Sequence, residues 1–233
     1  MGVSVIVEGL IGAGKSTLSQ ELGKALGEET LVLMEPDEQG NANPYLADFY
    51  ADKPRWAFSM QLHLLGMRYR MQLNAQWHVL SGKGHAVCDR SYFGDTCFAR
   101  LMARTGEITP REFETYRLLY QSMTASVLLP SVCVHLLVDP EVAAERIRKR
   151  AEARDGRKSE LVIDLDYLRG LNEEITYTVD VLREQGVHVV DVPWDEDLGA
   201  PSDRAGAVRY IAQRVLEKSP SSQFTTHHRR VLV

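Results

Sequence analysis

The chain has 233 residues, of which 44% are hydrophobic and 25% are charged. These proportions are typical of a globular protein and exclude a disordered or fibrous chain. The formal net charge of −5 argues against general affinity for nucleic acid or an acidic membrane surface, and no apolar run is long enough to span a bilayer. We therefore expect a soluble, cytoplasmic protein that binds neither nucleic acid nor membranes and whose anion sites are local.

Five short apolar runs, rich in β-branched residues, alternate with long amphipathic stretches. The runs are residues 3–7, 31–34, 86–88, 132–138 and 187–192. This alternation predicts an α/β fold with a five-stranded parallel sheet flanked by helices. Residues 1–218 are assigned to one domain and residues 219–233 to a flexible tail, because the hydrophobic period is lost after residue 219.

The first run is followed by GLIGAGKST, which has the G-x-x-x-x-G-K-[ST] pattern and precedes an amphipathic helix predicted from Lys15 to Leu26. In this pattern the glycines turn backbone N–H groups towards phosphates, Lys15 reaches the β- and γ-phosphates, and Ser16 can hold Mg²⁺. An accidental glycine-rich turn is the alternative. The residues expected to bind the triphosphate are Gly9, Gly12, Ala13, Gly14, Lys15, Ser16 and Thr17.

A long helix is predicted from near Pro54 to about Leu80. Gln61 and Arg68 are seven residues apart, so they share one face of this helix with apolar neighbours. Two interpretations stay open at this point. The polar pair marks either the solvated edge of a surface helix or a functional surface.

Polar residues at two further strand ends are candidates for catalysis. Glu35 follows the second strand, where a carboxylate could take the proton from an attacking hydroxyl. Asp89 and Arg90 close the third strand, which places an acid near Mg²⁺ and a guanidinium near the charge of the transferred group. The plainer interpretations are a solvent-exposed acid at Glu35 and an Asp89–Arg90 ion pair without a catalytic part.

Residues 145–158 contain seven lysines and arginines but only three acids. Arg146, Arg150 and Arg154 recur every four residues and are expected to form a ridge on one helix face, and Gly156 offers a hinge. These features predict an arginine-rich lid that closes over a triphosphate and excludes water. A solvated charged face is the alternative.

In combination, these segments resemble the deoxynucleoside kinases, and within that family the bacterial-type deoxyadenosine and deoxyguanosine kinases. The matching stretches lie between residue 3 and about residue 190: GLIGAGKST, Glu35-Pro36, NPYLADFYADKPRWAFSMQ, DRSYFGD, and ERIRKR with RKSE and DYL. The resemblance implies the P-loop kinase fold, with transfer of the γ-phosphate of ATP or GTP, in the presence of Mg²⁺, to the 5′-hydroxyl of a deoxynucleoside. Deoxyadenosine and deoxyguanosine are the expected acceptors, and a homodimer is expected by the same analogy.

The resemblance also implies roles around the sugar. Glu35 matches the general base on the 5′-hydroxyl, and Arg90 matches the arginine beside that hydroxyl and the phosphates. Asp89 takes the place of the metal-associated acid. Tyr50 and Glu160 match the pair that holds the 3′-hydroxyl.

Further matches surround the base and the phosphates. Gln61 matches the amide that reads the base edge, Arg68 with Asp95 matches a charged pair near the base, and Phe98 falls where the bacterial-type members place an aromatic. The lid is about three residues longer than in the animal enzymes. The arginines among which the catalytic lid residue is expected are Arg150, Arg154 and Arg157.

Two other functions compete with this interpretation. A nucleoside monophosphate kinase of the thymidylate kinase type shares the phosphate loop, a Glu-Pro pair and a DR motif. It must bind an anionic acceptor, however, and the acids Asp37 and Glu38 beside Glu35 would repel a phosphate. The second alternative is a nucleotide-binding module without phosphotransfer, which gives no reason for Gln61, Arg68 and Asp95 to converge.

Overall fold

The computed structural model describes residues 2–35, 43–152, 161–195 and 201–217, and within these ranges strands and helices alternate. The strands are β1 (Ser4–Gly9), β2 (Leu31–Leu33), β3 (Ala86–Asp89), β4 (Val132–Leu137) and β5 (His188–Pro193). The helices are α1 (Lys15–Leu26), α2 (Leu46–Ala51), α3 (Lys53–Leu80), α4 (Tyr92–Arg104), α5 (Pro110–Thr124), α6 (Pro140–Glu152), α7 (Leu165–Glu184) and α8 (Pro201–Leu216). Every predicted strand is present at its predicted place.

The five strands form one parallel sheet in the order β2-β3-β1-β4-β5. The predicted α/β class and parallel sheet are therefore confirmed. In the register, Val7 pairs with Asp89 and Glu8 pairs with His135. Because β1 lies between β3 and β4, the phosphate loop after β1 and the Asp89-Arg90 pair after β3 emerge side by side.

The core lies between the sheet and helices that pack against it. α4 packs between α3 and α7, while α1 packs against α8. The three cysteines, Cys88, Cys97 and Cys133, are buried with free thiols, as expected for reduced core residues. Among the helices that the structure describes, none is both long enough and apolar enough to cross a membrane.

Helix α3 begins at Lys53, where the Asp52 side chain accepts a hydrogen bond from the Arg55 amide at 3.2 Å, and it ends at Leu80 as predicted. Its polar pair does not face solvent. Gln61 is 0% exposed and Arg68 is 2% exposed. The interpretation of this face as a solvated edge is wrong, because both polar side chains are buried, and Arg68 contacts Glu35, which follows β2.

The lid remains a prediction. Helix α6 ends at Glu152, and the hinge Gly156 lies beyond it, outside the described residues. The same holds for Asp37 and Glu38, and for residues 218–233, so the predicted tail and its boundary also stay predictions. Three predicted site residues fall in the same undescribed ranges, namely Arg154, Arg157 and Glu160.

Candidate active site

The phosphate loop has the backbone shape that its glycines permit. Gly12 and Gly14 adopt φ values of 80° and 89°, which side chains rarely tolerate. A β-carbon on Gly12 would lie 2.8 Å from the carbonyl oxygen of Ala143 and 3.0 Å from Ile147, so α6 packs directly over the loop. With α1 beginning at Lys15, the loop and the helix N-terminus form a concavity suited to phosphate.

Lys15 lies inside this concavity. Its Nζ donates to the carbonyl oxygen of Leu10 at 2.7 Å, and the side chain is buried. Burial, reinforced by the nearby charge of Arg90, lowers the pKa of Lys15 to about 8. The three carboxylates that oppose this shift are Glu35, Asp89 and Glu8.

Ser16 and Asp89 form an oxygen pair at the start of α1. The Ser16 hydroxyl donates to Asp89 Oδ2 at 2.6 Å, and Asp89 Oδ1 is buried without a hydrogen-bond partner among the described residues. Hydroxyl and carboxylate oxygens are ligands that Mg²⁺ accepts. The pair therefore has the right chemistry, and an available oxygen, for the predicted metal position.

Glu35 is held between two arginines. Its Oε1 lies 3.1 Å from Arg90 Nε and also contacts Arg68 Nη2. Burial raises the pKa of Glu35, but the charges of Arg90, Arg68 and Lys15 outweigh burial and hold it well below its ordinary value. Glu35 is therefore not a freely solvated strand-end acid; it is an ionised carboxylate with a fixed position.

Arg68 reaches a second carboxylate, Asp95, at the start of α4. Its Nη1 contacts Asp95 Oδ1, and the hydroxyl of Tyr116 donates to Asp95 Oδ2. Burial raises the pKa of Asp95, and Arg68 and Tyr116 oppose that shift. Two oppositely charged groups thus share an enclosed site, in the pairing that buried charges require.

Gln61 and Phe98 complete the inner wall. Both the oxygen and the nitrogen of the Gln61 amide are buried without a hydrogen-bond partner among the described residues. The ring centroid of Phe98 lies 4.7 Å from the guanidinium of Arg90 and 5.5 Å from that of Arg68. A buried amide without partners is unfavourable, so its presence here points to a ligand that supplies them.

Tyr50 lies on α2 near Tyr167, a residue at the start of α7 that was not predicted for the site. Burial and the neighbouring Tyr50 raise the pKa of Tyr167. The ammonium of Lys53 lies 5.5 Å from the Tyr167 ring centroid, so α2, α3 and α7 meet here. Glu160, the expected partner of Tyr50, lies outside the described residues.

The described part of the basic segment, residues 145–152, belongs to helix α6, and two of its arginines bind other groups of the protein. Arg146 donates to the carbonyl oxygens of Trp194 and Asp195 at 2.8 and 3.1 Å, which fastens α6 to the chain after β5. Arg148 forms exposed ion pairs with two glutamates of its own helix. Arg146 therefore does not belong to a ridge of phosphate-facing arginines. Arg150 lies half-buried in the last turn of α6.

Several residues that were not predicted from the sequence form hydrogen bonds that hold the predicted site residues in place. Tyr116 orients Asp95, and Ser91 donates to Glu8 Oε1 at 2.5 Å beneath Arg90. Glu8 carried a visible signal, since a carboxylate stands directly before the phosphate loop, at the end of a mostly apolar run. Tyr116 carried none, because an aromatic residue in an amphipathic helix is typical of a core.

Residues 5–211 match the family model described as deoxynucleoside kinase. The chain belongs to the deoxynucleoside kinase family. Members of this family are phosphotransferases, and the site just described contains a phosphate loop and a half-buried, ionised carboxylate, Glu35. The family match therefore confirms the predicted family, the predicted fold and the predicted class of enzyme of this kinase.

Individual relatives agree with the family match. The chain is 33% identical over 196 residues to a deoxyadenosine kinase of Dictyostelium discoideum. The matched region covers 84% of this chain and 74% of that protein. It is 34% identical over 166 residues to a deoxyadenosine/deoxycytidine kinase of Bacillus subtilis, with 70% of each chain covered. A solved structure of a deoxyadenosine kinase from M. mycoides, with dCMP and dCDP bound, superposes with a TM-score of 0.73 at 24% identity, covering 93% of this chain and 100% of that one, and supports the fold.

Proposed function

We propose that this kinase transfers the γ-phosphoryl group of ATP or GTP to the 5′-hydroxyl of deoxyadenosine or deoxyguanosine. The observation that carries the proposal is the position of Glu35, whose Oε1 lies 3.1 Å from Arg90 Nε, while Nη2 of the same arginine donates to the carbonyl oxygen of Gly9 in the phosphate loop at 3.5 Å. An acceptor hydroxyl bound at Glu35 would therefore lie next to the phosphates held by the loop.

In the proposed reaction, the 5′-oxygen forms a bond to the γ-phosphorus while the bond from that phosphorus to the β–γ bridging oxygen breaks. Glu35 accepts the proton of the hydroxyl. Lys15 and Arg90 stabilise the negative charge on the transferred group and on the departing diphosphate. Arg150, Arg154 and Arg157 remain the candidates for a further charge from the lid.

Ser16 and Asp89 are the residues that would hold Mg²⁺. A bound Mg²⁺ would supply positive charge to the phosphate oxygens. The main role of the protein residues is then positioning, because phosphoryl transfer has a loose transition state with little covalent chemistry for the protein to perform. The 2.6 Å hydrogen bond between the two side chains shows that their oxygens already converge.

The base is proposed to bind at Gln61. The unpartnered amide offers one donor and one acceptor side by side, which matches the adjacent acceptor and donor on the edge of a purine. Arg68 and Asp95 lie on the same side, and Phe98 closes the wall beneath both arginines. Tyr50 and Glu160 are proposed to hold the 3′-hydroxyl.

The charges favour an uncharged acceptor over a nucleoside monophosphate. Each arginine near Glu35 already faces two carboxylates: Arg68 faces Glu35 and Asp95, and Arg90 faces Glu35 and Glu8. An incoming phosphate would have to compete with these pairs and approach Glu35 against like-charge repulsion. A neutral sugar hydroxyl faces no such cost.

A homodimer is the proposed assembly. Four large apolar side chains are exposed on α3 and α5, which is unusual for a surface that meets only water: Trp77 at 63%, Leu80 at 38%, Leu118 at 53% and Leu119 at 40%. The mass in solution, measured by sedimentation, should be twice that of the chain. Leu118→Glu should shift the equilibrium towards monomer, and a monomeric wild-type protein at micromolar concentration would contradict the assembly.

A substrate panel tests the proposed reaction. The four deoxynucleosides are each combined with ATP and with GTP, and turnover is measured by coupled release of the nucleoside diphosphate. Turnover with deoxyadenosine or deoxyguanosine supports the proposal, while no turnover with any deoxynucleoside refutes it. Preference for a deoxynucleoside monophosphate would identify a monophosphate kinase instead, and calorimetry showing no deoxynucleoside binding would favour a non-catalytic nucleotide module.

A further inference from the structure

Glu8 lies directly beneath Arg90 and takes no part in the reaction described above. It is the penultimate residue of β1 and is 1% exposed. Its Oε1 accepts the hydrogen bond of the Ser91 hydroxyl at 2.5 Å, and its Oε2 lies 3.8 Å from Arg90 Nη1. Oε2 accepts no hydrogen bond among the described residues. One carboxylate oxygen thus holds the turn after β3, and the other faces the guanidinium.

The backbone of Arg90 needs such support. Its φ of 65° is left-handed, and Arg90 is the one non-glycine residue with positive φ among those described. A side chain makes this conformation unfavourable, so it persists only where the surroundings hold it. The Arg90 amide donates to the carbonyl oxygen of Val7 at 3.1 Å, and the next residue, Ser91, is bound by Glu8.

The turn then leads into α4 without a gap. The Ser91 hydroxyl accepts a hydrogen bond from the Gly94 amide at 3.0 Å and gives its own proton to Glu8. A β-carbon on Gly94 would lie 2.5 Å from both oxygens of the Glu8 carboxylate. The carboxylate is therefore packed tightly under the first turn of α4 and has little freedom to move away from Arg90.

We propose that Glu8 is a positioning residue that orients the Arg90 guanidinium for phosphoryl transfer. One edge of the guanidinium faces Glu8, and its Nε lies 3.1 Å from Glu35. Glu8 touches neither the proposed substrates nor the reacting atoms, and it acts through Arg90. The inference rests on the proposed function, because it concerns the arginine placed beside the transferred group.

Glu8→Gln separates positioning from folding. The amide oxygen can still accept the hydrogen bond of the Ser91 hydroxyl, so Ser91 stays in place to accept the hydrogen bond of the Gly94 amide at the start of α4. The amide nitrogen, however, replaces the oxygen that faces Arg90, and two donors then oppose each other. We expect kcat to fall by roughly 100-fold through misplacement of the guanidinium, with the KM for nucleotide changing little, and the melting temperature to fall as well because Arg90 loses a buried counter-charge.

A double-mutant cycle with Arg90→Lys tests whether Glu8 acts through Arg90, because a purely structural role of Glu8 would lower kcat equally with and without Arg90→Lys. If Glu8 acts through Arg90, adding Glu8→Gln to the Arg90→Lys variant should lower kcat less than about twofold, because the guanidinium it orients is gone. The matched control is Glu174→Gln, which breaks the partly buried ion pair of Glu174 with Arg100 at 2.7 Å, away from the site. That control should lose stability and keep kcat.

The outcomes are distinct. Full kcat in Glu8→Gln, or an equal fall in kcat with and without Arg90→Lys, would overturn the positioning role. If Glu8→Gln does not fold, Glu8→Asp gives the same cycle, since it keeps the charge but withdraws it from Arg90. A wild-type enzyme inactive on every deoxynucleoside would refute the proposed function alone, and the cycle would then be measured on ATP hydrolysis, where the same coupling is expected.

Discussion

The guanidinium of Arg68 and the carboxylate of Glu35 are in direct contact, although one belongs to the middle of α3 and the other follows β2. Through its other terminal nitrogen, Arg68 also contacts Asp95. One buried cation therefore links the wall proposed for the base to the carboxylate proposed for the sugar hydroxyl. Changes on either side are expected to affect both binding and turnover.

Glu35→Gln should lower kcat by about 10²- to 10⁴-fold, because the variant cannot accept the proton of the acceptor hydroxyl. The affinity for deoxynucleoside, measured by calorimetry, should change much less than kcat, because the amide retains most of the contacts. Glu28→Gln, at an exposed position before β2, is the matched control and should behave like the wild type. Equal kcat values for Glu35→Gln and the control would remove Glu35 from the mechanism.

Arg68→Met should destabilise the protein by about 3–5 kcal/mol, because it leaves the buried Asp95 carboxylate without its cation. The loss is measured by denaturant unfolding. The double variant Arg68→Met/Asp95→Asn should recover much of that stability, since the neutral amide needs no counter-charge. Additive losses in the double variant would show that the two side chains do not depend on each other.

Tyr116→Phe should raise the KM for deoxynucleoside and leave the KM for nucleotide unchanged. Burial raises the pKa of Tyr116 well above its ordinary value, so its hydroxyl is a permanent donor to Asp95. Its removal should cost about 1–3 kcal/mol of stability by leaving an acceptor unsatisfied. Tyr210→Phe, at an exposed tyrosine of α8, is the control. An unchanged KM for every deoxynucleoside would place Tyr116 outside substrate selection.

Nucleotide affinity should fall as pH rises through about 8. The pKa of Lys15 in the substrate-free protein is lowered to about 8, so its positive charge is present below that pH and is lost above it. Triphosphate binding is measured by calorimetry across this range. Lys15→Met should bind weakly at every pH and lack this transition. If wild-type affinity stayed constant up to about pH 10, the loop lysine would not be the titrating group.

Ser16→Ala and Asp89→Asn should each raise the Mg²⁺ concentration required for half-maximal activity by about tenfold or more, because each removes or weakens an oxygen ligand. Mg²⁺ titration of the initial rate measures this effect. Ser19→Ala is a well-matched control, because Ser19 is buried one turn further along α1 and lacks a hydrogen-bond partner among the described residues. A Mg²⁺ requirement identical in all four proteins would exclude this site.

The local features of this protein were readable from the sequence. Apolar runs with β-branched residues predicted the five strands, and the glycine pattern before Lys15 predicted the phosphate loop. Such features depend on neighbours within a few residues, which periodicity and turn chemistry report directly. The motif spacing also predicted the family, since the matched segments extend over most of the chain.

The side-chain network around Glu35 was decided only by the tertiary structure. Spacing placed Gln61 and Arg68 on one face of α3 but left open whether that face met solvent, and packing against α4 settled it. Glu8 is bound by Ser91, 83 residues away in the sequence, and Tyr116 binds Asp95, 21 residues away, and neither lies in a pattern that identifies its partner. The way the helices pack on the sheet determines these partners, because it decides which polar groups are buried next to each other. Polar groups that are buried together must form hydrogen bonds or ion pairs with one another.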